Sequence, residues 1–255
     1  MKHHSKFGEV KTLVEAGINV LCVGPASSGK STVIKQVAEA LNLDFYSVPM
    51  TRQTTVSNLL GFIAINGNYI PSQFRKAVEF GGLVDLSEID AADPNTLLCL
   101  NTLENGYIAF PDKIVEVHKD FRLCATANPI EGNSRYVGRN QLDEATLDRF
   151  DVVTIDIDSE LEKAIVGEEV ANTIKVLNNI LDKCNISRRL SMRDAIRFKK
   201  RIDIGLGSGY EHVLLNDTVA GSMYNDYIID LQNKPTKDSV NSIDDLWEYI
   251  TQEEL

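Results

Sequence analysis

Several things are scarce in this sequence, and each scarcity excludes a class of protein. No apolar run approaches the ~20 residues that cross a bilayer. The N-terminus MKHHSKFGEV lacks the apolar core of a secretory signal, so a cytoplasmic protein is expected. There are only four cysteines. Cys22, Cys99, Cys124 and Cys184 are scattered without a CxxC pair and read as buried thiols in a reducing compartment, not as disulfides or zinc ligands. The four histidines, His3, His4, His118 and His212, show no metal-ligand spacing. Basic residues are outnumbered, 26 against 37 acidic, for a net charge of -11. That argues against broad binding to nucleic acid or anionic membrane, which needs a basic face; a local basic pore or patch stays open. Internal repeats and low-complexity tracts are absent. With 255 residues, 43% of them hydrophobic, the chain can bury a sizeable core as one large domain, or as a core with a small second domain.

What is present alternates between strand and helix patterns. Phe7 to Gly17 has helical spacing and a glycine stop. Ile18 to Val23 is an apolar run of strand length, Ser31 to Leu41 a helix, and Asp44 to Pro49 a second strand. Gly82–Ser87, Phe121–Ala127 and Asp151–Ile157 are three more strands. Helical patterns separate several of them, which predicts an α/β fold, a mostly parallel sheet between helices. Gly106 to His118 breaks the rhythm: two alternating runs flank Pro111-Asp112-Lys113 and read as a β-hairpin. From Ser159 onward the strands stop and amphipathic helices follow. After Gly205 the composition turns polar and acidic.

The first strand enters a turn in which Gly24, Gly29, Lys30 and Ser31 satisfy G-x-x-x-x-G-K-[ST]. From average residue frequencies a chance match in such a chain is roughly one in a hundred, and the strand-turn-helix context sharpens it. Glycines let backbone N–H groups approach an anion. The helix N-terminus adds unpaired donors and partial positive charge. Gly24, Pro25, Ala26, Ser27, Ser28, Gly29, Lys30, Ser31 and Thr32 would cradle a nucleotide, Lys30 reaching the β/γ-phosphates and Ser31 offering its hydroxyl to Mg²⁺. ATP and Mg²⁺ are the expected cofactors.

Strand Leu83 to Ser87 ends at Glu88-Ile89-Asp90. A carboxylate at the carboxyl end of a central strand lies beside the phosphate turn, so Glu88 is placed to orient or deprotonate an attacking water. Ser87 stands where such strands normally carry an aspartate, and a serine hydroxyl is a weak neutral substitute beside Mg²⁺. Asp85 shares a strand face with Ser87, about 6–7 Å back. It is a candidate second metal ligand, with a structural hydrogen bond as the competing role.

The ordered parts resemble an AAA+ ATPase of the MoxR/dynein-related branch, a P-loop NTPase class that includes CbbQ- and GvpN-like proteins. Asn58 to Gly82 is similar to that branch's helix-2 insert, and Gly106 to Pro129 to its pre-sensor-1 hairpin and sensor-1 strand. Leu142 to Asp151 resembles the arginine-finger segment, and Leu190 to Phe198 the sensor-2 helix of a helical lid. The resemblance implies a core over 1–157, a lid over 158–205 and an acidic region of unknown role over 206–255. It also implies that Asn128 acts as sensor 1, Arg149 as the arginine finger, with Arg139 and Arg135 as rivals, and Arg193 as sensor 2, with Arg188 and Arg189 nearby. Tyr69, at the insert tip, is an aromatic candidate for touching a substrate, with packing at a turn as the competing role.

The leading expectation is therefore an ATP-hydrolysing ring, a homo-oligomer of the hexameric, chaperone-like kind, that remodels or activates a protein partner. The resemblance also implies a von Willebrand A domain companion. Specificity is expected in the insert, the hairpin or the C-terminal region, because no recognition domain precedes the phosphate turn. Ser87 keeps open a nucleotide-gated scaffold with little turnover. A nucleic-acid motor is the third reading, opposed by the acidic charge.

Overall fold

The structure is a computed structural model that describes residues 2–129, 140, 142, 144–184, 186, 189–206 and 222–224. Its main sheet has five parallel strands: β1 (Val20–Val23), β2 (Phe45–Pro49), β5 (Gly82–Ser87), β8 (Phe121–Ala127) and β9 (Asp151–Thr154), in spatial order β2-β5-β8-β1-β9. The strands are near-continuous apolar runs because helices cover both faces. On one face α1 (Phe7–Glu15) and α2 (Lys30–Ala40) bury Val10, Val14, Val33 and Val37 against Val20, Cys22, Leu83 and Cys124. On the other, Phe74, Ala77 and Val78 of α4 (Gln73–Phe80) pack with Leu21, Val84, Leu86 and Leu123. The α/β expectation holds. The first strand begins two residues later than its apolar run, because Gly17 turns the chain at φ 80° first.

Between β2 and α4 lie α3 (Val56–Leu60) and a small hairpin of β3 (Phe62–Ile63) and β4 (Tyr69–Ile70). After β5 come a 3-10 turn (Ile89–Ala91), α5 (Pro94–Leu97) and a longer 3-10 segment (Leu98–Asn105). Then β6 (Tyr107–Ala109) and β7 (Ile114–Glu116) form the hairpin expected around Pro111-Asp112-Lys113. The short α6 (Glu144–Leu147) leads into β9.

Three further helices follow, α7 (Ser159–Val166), α8 (Glu168–Lys183) and α9 (Met192–Asp203), with an apolar cluster of their own that includes Ile174, Leu177, Leu181, Ala195 and Phe198. Buried Asn178 holds the segment before α9 by both backbone groups of Leu190, accepting from its N–H and donating to its carbonyl. Among the described residues no helix is long and apolar enough to cross a membrane.

The structure decides between the two roles of Tyr69 in favour of packing, and it corrects the reading of the thiols. Tyr69 is half-buried, its hydroxyl donates to the Leu60 carbonyl, and burial pushes its phenol up. The exposed apolar side chains of that hairpin are Phe62, Ile63, Ile65 and Ile70. Tyr69 is held because Arg75 of α4 lies 5.4 Å over its ring, a contact that no local pattern announces. Of the four thiols only Cys22 and Cys124 are fully buried; Cys99 and Cys184 are half-buried.

Candidate functional site

The strand β1 ends at Val23, and the chain turns tightly onto the neighbouring strand. The Ile155 N–H donates to the Val23 carbonyl at 2.7 Å, and the Gly24 N–H donates to the Ala127 carbonyl at 3.3 Å. A Cβ on Gly24 would collide with the Ile155 carbonyl, so only glycine permits this approach. Ser27 (φ 65°) and Gly29 (φ 95°) lie in the left-handed region, which curls the turn before α2 starts at Lys30. The first intrahelical bond is the Val33 N–H to the Gly29 carbonyl, leaving the N–H groups of the first turn without helical partners.

Lys30 folds back over this turn. Its Nζ donates to the carbonyls of Gly24 (2.7 Å) and Pro25 (2.8 Å) and to Asn128 Oδ1 (3.2 Å). Burial lowers its pKa from 10.5 to about 8, against the raising influence of Asp90, Cys22 and Glu88, while Arg193 lowers it further. These three bonds go to neutral acceptors, and desolvation disfavours the charge. An anion at the turn would restore a partner to it, so these residues fit a phosphate group. Buried Ser28 Oγ is also without a hydrogen-bond partner.

The acidic side of the cleft comes from β5 and the turn after it. Asp85 is fully buried. Its Oδ2 accepts from Ser87 Oγ at 2.7 Å, while its Oδ1 has no partner. Burial pushes its carboxyl up, opposed by hydrogen bonding from the Ser87 and Ser31 hydroxyls. A buried carboxyl within hydrogen-bond reach of the Ser31 hydroxyl, with one oxygen unpartnered, is chemistry that suits a hard divalent cation. Glu88 is exposed and takes a left-handed conformation (φ 61°), with its N–H donating to Thr126 Oγ1. That twist folds Asp90 under the cleft, where it is fully buried and its Oδ2 stands 3.5 Å from the Asn128 N–H. Asp90 is the carboxylate that exerts the largest pull on Lys30. The sequence places it just beyond Glu88 without a role, because only the backbone twist turns it inward.

The structure thus gathers Lys30, Ser31, Asp85, Glu88 and Asn128 at the carboxyl ends of β1, β5 and β8. Arg193 enters from α9, whose start is fixed by a capping box in which the Ser191 N–H and Oγ donate to Asp194. Its charge reaches Lys30. Arg149 stands apart from this group. Its Nε lies 3.2 Å from Glu104 Oε1, its Nη1 donates to the Ala145 carbonyl, and Asp148 and Asp151 are not its partners in these contacts. Arg135, Arg139 and Arg188 lie outside the described residues.

A family model described as the AAA domain of the dynein-related subfamily matches residues 19–150, just over half of the chain. An uncharacterized protein of Staphylococcus epidermidis is 29% identical over 179 residues, 64% of this chain and 65% of that protein. One of Staphylococcus haemolyticus is 29% identical over 181 residues, 65% of this chain and 66% of that protein. The chain therefore spans a little under two thirds of the length of these relatives. Among solved structures, NtrX of Brucella abortus in complex with ADP covers 91% of this chain and 55% of its own, with a TM-score of 0.53 at 16% identity. This last likeness is one of fold.

Proposed function

Because the chain belongs to the dynein-related subfamily of AAA domains, we propose that it binds ATP at the turn Gly24–Thr32, hydrolyses it, and works as a homo-oligomeric ring that remodels or activates a protein partner. The observation that carries this reading is Lys30, a partly desolvated cation bonded to two turn carbonyls and to Asn128 inside a glycine-shaped anion seat. Within the subfamily, the two hairpins ahead of β5 and β8 support a MoxR-, CbbQ- or GvpN-like type, with a hexamer and a von Willebrand A companion as the finer proposal. Residues 1–157 would be the core, 158–205 the lid and 206–255 a separate acidic region, in a cytoplasmic protein.

The chain's own residues divide the work. Gly24 and Gly29 shape the seat, and Lys30 meets the phosphate charge. Ser31 is placed for Mg²⁺, which when bound neutralises charge on the β- and γ-phosphate oxygens. Glu88, exposed at the end of β5, accepts the proton of the attacking water or orients it. Asn128 exchanges its bond to Lys30 for one to the water or the γ-phosphate, and Arg193 reports nucleotide from α9. Arg149 serves the site of the neighbouring subunit. Phosphate release measured with and without DNA tests the reading. DNA-independent release supports it, whereas nucleotide binding without release moves the protein to the second reading, a nucleotide-gated scaffold. Ser87 beside Glu88 is the observation that favours that second reading.

A further inference from the structure

The strand β5 is apolar except at Asp85 and at its last residue, Ser87. Burying a carboxylate is expensive unless something compensates it. Here one oxygen, Oδ2, accepts the Ser87 hydroxyl proton at 2.7 Å, and the other, Oδ1, is buried with no hydrogen-bond partner. Because the Ser87 proton is committed to Asp85, the lone pairs of Ser87 Oγ lie on the side away from that carboxylate. Ser87 is only half-buried, at the end of the strand nearest the turn, whereas Asp85 has no exposure at all. A neutral hydroxyl alone is a poor ligand for a hard divalent ion. A hydroxyl backed by a carboxylate that takes its hydrogen bond is a better one, by the same logic through which outer carboxylates strengthen histidine ligands.

We infer that the divalent-cation site of this chain is split over two residues. Ser87 presents the ligating oxygen beside Ser31, and Asp85, one strand repeat behind, supplies the negative charge through the Ser87–Asp85 hydrogen bond. The cation class is a small, hard ion that arrives with the nucleotide, Mg²⁺ or Mn²⁺. The inference rests on the nucleotide reading above. It adds that this chain keeps a metal site despite lacking a carboxylate at position 87, and that the site is weaker than a direct carboxylate would make it.

The experiment is calorimetric titration of the full chain with ADP, in EDTA and across a series of Mg²⁺ concentrations, with Mn²⁺ binding counted separately by electron paramagnetic resonance. The variants are Asp85→Asn, Ser87→Ala, Ser87→Asp and the double variant Asp85→Asn/Ser87→Asp. Wild type should bind ADP more tightly with metal than in EDTA. Asp85→Asn and Ser87→Ala should each raise the Mg²⁺ concentration needed for that gain by about tenfold or more and lose the bound Mn²⁺ signal. Ser87→Asp should lower it and make Asp85→Asn nearly silent in the double variant, since the two share one ion. Retained ADP binding in EDTA shows that a variant is folded; if Asp85→Asn fails that control, Ser87→Ala and Ser87→Asp decide. A full metal gain in both Asp85→Asn and Ser87→Ala would overturn the split site while leaving the nucleotide reading intact. No ADP binding by wild type in either condition would overturn both.

Discussion

Lys30 concentrates the physics of the site in one side chain. Its ordinary pKa of 10.5 falls to about 8, chiefly through burial. The charged form therefore costs free energy in the empty protein. That cost is complete below about pH 8, is relieved as pH rises from 8 toward 10.5 and is gone above it, so stability rises across that window but the lysine's ionisation never adds to it. Nucleotide binding has the opposite slope, because the phosphate requires the proton. Affinity for ADP in EDTA should be flat below about pH 7.5 and should fall by up to about tenfold per pH unit above 8, with proton uptake on binding. Calorimetry in buffers of different ionisation enthalpy measures both; a flat profile to pH 9.5 without proton uptake would refute the depressed pKa. Lys30→Ala should remove measurable binding at any pH, and unchanged affinity in that variant would sink the phosphate seat itself. Most of this site was legible in the sequence. Gly24, Lys30, Ser31, Glu88 and Asn128 each lie within a few residues of an apolar strand end, where local pattern is informative. Asp90 was not legible in its role, because its burial depends on the left-handed Glu88.

At the scale of elements, Arg75 ties together segments that the sequence reads separately. It is 2% exposed and forms ion pairs with Glu79 at 3.0 Å and Asp112 at 2.9 Å, with its guanidinium 4.4 Å over the Phe110 ring. It thereby fastens α4 to the β6–β7 hairpin, and to the β3–β4 hairpin through Tyr69. The acidic partners are partly exposed, so losing the arginine should cost less than breaking a fully buried pair, about 2 kcal/mol. Arg75→Met should lower the unfolding free energy from denaturant titration by that amount, moving the midpoint down by the same free energy divided by the m-value. Arg75→Lys should fail to restore it, because an ammonium can neither fork between two carboxylates nor stack on a ring in the same way. Full recovery in Arg75→Lys would mean that charge alone matters. The five-stranded sheet was readable because parallel strands are continuous apolar runs. The β3–β4 hairpin was not, since two-residue strands show no periodicity and their packing comes from an arginine on the next helix.

At the scale of the whole molecule, the described chain leaves its finger candidate away from its own nucleotide seat. Arg149 is paired with Glu104, and its charge is not among those that shift Lys30. If Arg149 completes a neighbour's site, a single subunit cannot turn over efficiently, and ATP binds the assembled state better than the free one. Sedimentation with a slowly hydrolysed ATP analogue should then show a large species, and a strict monomer at high protein concentration with analogue bound would remove the ring. Arg149→Ala should keep ATP binding but lose roughly 10³-fold or more in turnover, the usual worth of such an arginine. Glu88→Gln should be comparably slow for a different reason, loss of the group that handles the attacking water. The two defects lie on opposite sides of one interface. In a random one-to-one mixture, about a quarter of the interfaces of a closed ring join an intact glutamate to an intact arginine. Mixing two nearly inactive preparations should therefore restore up to that fraction of wild-type turnover, at a level that saturates once rings have exchanged subunits. Recovery would place Arg149 across the interface. Normal hydrolysis by Arg149→Ala alone would end its assignment and move the test to Arg139 and Arg135, while a slow variant with no recovery on mixing would return Arg149 to its ion pair with Glu104 as a structural residue of the subunit that carries it.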